Sequence, residues 1–86
     1  MNKPQQPQIT VHIATVSHRH GTDAFVALTE DGLFKELAKY CREWWGEEIG
    51  RELKRPRSNR ELVDAYFDWE IEHGQEFIDF LGSRTL

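Results

Sequence analysis

The sequence predicts an α+β domain of two layers, a three-stranded sheet with two helices on one face, in the order β-β-α-α-β. Three observations lead there. A period-two apolar alternation near the N-terminus gives way at Thr29 to a repeat of about 3.6 residues. A second helical repeat opens behind an S-x-x-E cap, and a short aromatic run, Phe77 to Leu81, follows it.

The elements follow in order. Residues 1–8 are polar and hold Pro4 and Pro7, so they are expected as a flexible tail, with residues 9–86 as the single domain. Ile9, Val11 and Ile13 alternate with Thr10, His12 and Ala14, the pattern of a half-buried strand whose apolar set the helices should cover. His18-Arg19-His20-Gly21-Thr22-Asp23 is a polar turn, and Ala24 to Leu28 is the second strand of a hairpin.

Thr29 is placed as an N-cap, with Glu30 and Asp31 favourable at the positive end of a helix dipole. Leu33, Leu37, Tyr40, Cys41 and Trp44 then lie on one helical face, with Phe34, Ala38 and Trp45 beside it, and Gly46 or Gly50 should end the helix. Residues 50–57 read as a loop barred from helix by Pro56. Ser58-Asn59-Arg60-Glu61 caps a second helix built on Leu62, Val63, Tyr66, Phe67 and Trp69 and closed by Gly74. The last strand has two open sheet edges to choose from, beside the first strand or the second.

Composition narrows function. At 86 residues the chain is one small domain, which excludes a Rossmann or TIM-barrel enzyme. One cysteine, Cys41, excludes an internal disulfide or an all-thiolate zinc site. No apolar run approaches the ~20 residues of a membrane span, and the polar N-terminus is not a secretory signal. The expectation is a soluble cytoplasmic protein. The net charge of −4 is uneven: residues 51–60 hold five basic residues and one acidic, whereas 61–86 hold seven acidic and one basic.

Four groups of residues invite chemistry. His18 and His20 stand at i, i+2, the start of a metal-ligand pair, and His12 shares their strand parity. No C-x-x-C, H-x-x-x-H or H-E-x-x-H completes the set, so no metal or cofactor is expected. His18, Arg19 and His20 then serve as a hairpin end that could touch a partner. Cys41 lies on the buried stripe, where a thiol is inert, and Ser17 beside His18 is adjacency without geometry, so no catalytic residue is assigned. Arg51, Lys54, Arg55, Arg57 and Arg60 could grip phosphates, but no aromatic interleaves with them and acidic segments flank them, so direct nucleic-acid binding is not expected. Ten aromatic residues exceed what a narrow core needs. With Trp45 and Trp69 beside Asp64, Asp68, Glu70 and Glu72, the surplus suggests a protein-binding face.

Ile13-Ala14-Thr15-Val16-Ser17-His18-Arg19-His20-Gly21, the strand from Phe25 to Leu28 and the helix bearing Trp44-Trp45 resemble short phage, plasmid and other mobile-element proteins with an I-A-T-x-x-H-R-H-G hairpin and a W-W helix. The resemblance spans roughly residues 9–49 and implies an accessory role by binding a host protein, with no activity or catalytic residues attached. Small acidic anti-defence proteins, anti-CRISPRs among them, are similar in size and charge as a class. The expectation is a non-enzymatic protein that occupies a basic surface of a host protein through Asp64, Asp68, Glu70, Glu72, Trp45 and Trp69, and so inhibits a host protein that handles nucleic acid. Metal binding through His18 and His20, nucleic-acid binding through residues 51–60 and homodimerisation remain as alternatives.

Overall fold

β1 (Thr10–His18) and β2 (Gly21–Ala27) form an antiparallel hairpin, α1 (Glu30–Glu48) and α2 (Asn59–His73) follow, and β3 (Phe77–Thr85) returns to the sheet. The computed structural model describes residues 8–86; of the tail expected over 1–8, all but Gln8 lies outside the described residues. His18 pairs with Gly21 across a two-residue loop, Arg19-His20. Gly21 has φ +135°, a conformation that strains residues with a Cβ.

The sheet order is β2-β1-β3, so the last strand takes the free edge of the first, antiparallel to it. β3 extends beyond the expected Leu81 to Thr85 because its pairing with β1 continues to Thr10. The register shifts once: Thr15 faces Phe80 while Val16 faces Ile78, leaving Asp79 as the extra residue of a β-bulge. The bulge has a consequence for side chains. Phe77 and Phe80, three residues apart, would occupy opposite faces of a regular strand. Here they pair with Ser17 and Thr15, which share one face.

Both helix starts carry the expected caps. The Thr29 hydroxyl accepts from the Gly32 amide at 2.9 Å, and the Ser58 hydroxyl accepts from the Glu61 amide at 3.1 Å. α1 runs through Gly46, and the amides of Ile49 and Gly50 both donate to the Trp45 carbonyl. α2 ends where the Gly74 amide donates to the Glu70 carbonyl. Arg60 ties the two N-termini together, donating to Glu30 at 2.6 Å with its guanidinium 4.3 Å from the centroid of the Phe34 ring.

The core joins Leu33, Leu37, Ala38, Cys41, Trp45 and Ile49 of α1 to Leu62, Val63, Tyr66 and Phe67 of α2, over Ala14 and Val16 of β1. Two expectations are corrected. Ile9, Val11 and Ile13 are not beneath the helices: two apolar alternations overlap in β1, offset by one residue, and Ala14 and Val16 are the pair fully buried. The small inward side chains leave room for the large helix residues, and Val11 and Ile13 fall on the outer face. On α1, Trp45 is the core residue, 4% exposed, while Trp44 is only half-buried. No helix is long and apolar enough to cross a membrane, among the described residues.

Candidate functional site

At the end of the domain where the β1–β2 turn meets the C-terminal ends of both helices, a cleft of about 320 Å³ opens. The turn contributes His18, Arg19 and His20, α1 contributes Tyr40, Trp44 and Glu48, and the α2–β3 connection contributes Gly74 and Glu76. Three carboxylates meet at this end. Glu48, Glu70 and Glu76 each place an oxygen within 4.8 Å of the others. Glu70 is 1% exposed and Glu76 is 8% exposed, so two of the three lie in the interior.

Their hydrogen bonding is unequal. Glu76 Oε1 accepts from the Tyr66 hydroxyl at 2.9 Å and from the Tyr40 hydroxyl at 2.5 Å. Those hydroxyls are held by an aromatic cluster in which Tyr40 packs edge-on against Tyr66, and Tyr66 against Phe67. Burial, then the hydrogen bond to Glu76, pushes both tyrosines well above their ordinary range, so they act as fixed donors. Glu70 has no such help: neither carboxylate oxygen has a hydrogen-bond partner among the described residues. Burial and the neighbouring Glu48 and Glu76 raise its pKa to about 7. Burial, then Glu76, also raises that of Glu48. Gly74 makes the arrangement sterically feasible, since a Cβ there would fall on the Glu70 carboxylate.

Histidines border the cleft in two different states. His18 Nδ1 accepts from the His20 amide at 3.2 Å, so its proton resides on Nε2, which lies 3.1 Å from Asp23. Both nitrogens of His18 are thereby occupied, which argues against the His18/His20 metal pair. The strand also stops at His18, so His20 belongs to the turn and not to the parity of His12 and His18. His73 stacks on Trp69 at 3.9 Å between ring centroids and donates through Nδ1 to the Trp69 carbonyl at 3.2 Å, leaving Nε2 as the basic nitrogen. Cys41 is fully buried, and burial pushes its thiol up, the state of an inert core residue.

The residues expected on a partner face divide. Asp64, Asp68 and Glu72 are exposed along one row of α2 and form no ion pair among the described residues. Glu70 and Trp45 are corrected: both are buried and unavailable to a partner. Glu70 is two residues from Asp68, about 200° around the helix, which turns it from the acidic row into the apolar stripe of Val63, Tyr66 and Phe67. Trp69 is half-buried, its indole donating to the Glu48 carbonyl at 3.2 Å. Sequence reasoning missed the Glu48–Glu70–Glu76 cluster, although a glutamate at i+4 from Tyr66 and i+7 from Val63 was a signal for it.

The opposite side of the domain also differs from expectation. Among the described residues nothing covers the outer face of the sheet: Val26, Phe77 and Phe80 are 62%, 50% and 46% exposed, beside half-buried Val11 and Ile13. No family model, curated protein or solved structure matches the chain.

Proposed function

We propose that the protein is a non-enzymatic binding protein that acts in the cytoplasm by occupying a basic surface on a host protein. The observation that carries this reading is the row of Asp64, Asp68 and Glu72, solvent-exposed and forming no ion pair among the described residues, with Ile71 beside it at 74% exposure. An isolated apolar side chain among unpaired carboxylates suits a basic partner: the charges speed encounter and select the partner, and the apolar contact contributes affinity. A host surface that normally holds nucleic acid has that charge, so occupation of it would be inhibition by competition. The motif resemblance of residues 9–49 to mobile-element proteins implies an accessory role, and the anti-defence reading rests on similarity of size and charge as a class. Direct nucleic-acid binding is disfavoured because this row repels phosphates and Arg60 of the basic segment is already engaged with Glu30.

The test is capture of the host partner, followed by association kinetics at two salt concentrations for wild type, Asp64→Lys/Asp68→Lys/Glu72→Lys and Ile71→Ala. The triple reversal should slow association at least about tenfold at low salt and remove most of its salt dependence. Equal on-rates for the folded proteins would remove the acidic row from the function.

A second reading, self-association, is favoured by the outer sheet face. Its central residues Ile13, Thr15, Ala24, Val26, Phe77 and Phe80 are uncharged, so two copies can stack there without the repulsion that their net charge of −4 imposes elsewhere. Light scattering of wild type and Val26→Glu/Phe80→Glu separates the readings. A dimer abolished by the pair of substitutions assigns this face to a second copy.

A further inference from the structure

Glu70 Oε1 and Oε2 are the buried side-chain oxygens that lack any hydrogen-bond partner among the described residues. A carboxylate in the interior without a donor is costly, and two more carboxylates beside it raise the cost. Among the described residues, no lysine or arginine forms an ion pair with any of the three. The surrounding groups do not relieve them either: the two tyrosine hydroxyls both serve Glu76, and the indole of Trp69 serves the Glu48 carbonyl. Arg19 lines the cleft and its charge favours the ionised form of Glu48, but among the described residues no cation pairs directly with the three carboxylates.

We propose that Glu48, Glu70 and Glu76 hold a hard divalent cation, entering through the cleft bounded by His20, Trp44 and His73. This goes beyond partner binding and does not depend on it. The ligand chemistry is all oxygen, which selects Ca²⁺, Mg²⁺ or Mn²⁺ over softer metals. Ca²⁺ tolerates irregular oxygen sets, whereas Mg²⁺ demands near-ideal octahedral geometry, so Ca²⁺ is the suitable probe. The three oxygens lie within 4.8 Å of one another, close enough to converge on one ion. The hydroxyls of Tyr40 and Tyr66 orient Glu76 as outer-shell donors do in metal sites, and the cleft supplies an entry path and room for water on the ion's open positions. Glu70 then has a structural explanation. Its two oxygens, unpaired by any protein donor, are the ones an ion would take.

The experiment uses the full chain stripped with chelator, titrated with Ca²⁺ by calorimetry and with Tb³⁺ by luminescence, which the nearby Trp44 and Tyr40 should sensitise. One equivalent of Ca²⁺ should bind with Kd below about 1 mM and displace Tb³⁺. Glu70→Gln and Glu48→Gln should each weaken binding at least about tenfold, because affinity follows the number of ligand charges. Asp64→Asn/Asp68→Asn, on the exposed row, should leave it within about threefold. Glu48 is only half-buried, so Glu48→Gln keeps the test decisive if Glu70→Gln fails to fold. Absence of Ca²⁺ and Tb³⁺ binding would overturn the proposal and leave the cluster holding a proton instead. Equal weakening by the exposed-row variant would also overturn it, by moving the ion to the helix surface. Neither result bears on the proposed partner, which is read separately from association kinetics.

Discussion

Tyr66→Phe isolates one bond of the buried cluster. Tyr66 is fully buried, its hydroxyl lies 2.9 Å from Glu76 Oε1, and its ring centroid lies 5.0 Å from that of Phe67 and 6.1 Å from that of Tyr40. Phenylalanine preserves the ring packing and deletes only the donor. A hydrogen bond to a charged acceptor contributes about 1.5–3 kcal/mol. Tyr40 still donates to the same oxygen, so the loss should fall in the lower half, about 1.5–2 kcal/mol. For a domain of this size that lowers Tm by roughly 6–16 °C. The assay is urea denaturation of wild type, Tyr66→Phe, Glu76→Gln and the double variant, with m unchanged as the sign that only stability has moved. With a neutral acceptor at position 76 the hydroxyl should be worth less, leaving a coupling of about 1 kcal/mol across the cycle. Equal losses in the two backgrounds would show that the Tyr66 hydroxyl does not serve the Glu76 carboxylate, and the account of the cluster would fail.

Leu37→Ala, at a fully buried position between the helices, should cost about 2–5 kcal/mol in the same assay, and a loss under about 0.5 kcal/mol would refute the helix phase. Gly74→Ala should destabilise by more than the usual helix-end substitution, because its Cβ collides with the Glu70 carboxylate, and Glu70→Ala should remove most of that excess. In chelator, wild-type stability should fall between pH 5 and 8. Glu70 is raised from 4.5 to about 7, so the folded chain retains a proton that the unfolded chain releases, and this contribution is present below about pH 4.5 and lost as pH rises through 7. Glu70→Gln should flatten the profile, and a wild type already flat across that range would contradict the assignment.

The fold was legible wherever the signal was local. Thr29 and Ser58 cap the helices because their hydroxyls can reach amides three residues on, a relation visible in any short window. Strand parity was not local. Ile9-Val11-Ile13 and Ala14-Val16 are both acceptable inward sets, and only the size of Leu33, Leu37 and Tyr66 above them decides in favour of the smaller pair. The bulge at Asp79 has no residue signature and yet places Phe77 and Phe80 on one face. The cluster was hidden for a related reason: Glu48, Glu70 and Glu76 come from α1, α2 and the approach to β3, and no motif spacing joins them. Glu70 alone carried a clue. Counting it with Asp64, Asp68 and Glu72 by charge concealed that it lies on another side of the helix.

The position of β1 between β2 and β3 sets a timetable for assembly. Its seam with β2 closes across two residues, whereas its seam with β3 runs from Ser17–Phe77 to Thr10–Thr85 and must gather almost the whole described chain. The entropy of that closure is met only when the helices have already brought the ends together. A nascent chain therefore carries the hairpin and both helices while one edge of β1 still has its amides and carbonyls unpaired, next to the apolar side chains of Val11 and Ile13. Crowded synthesis would be most prone to intermolecular pairing in that interval, and the arrival of the final nine-residue strand ends it.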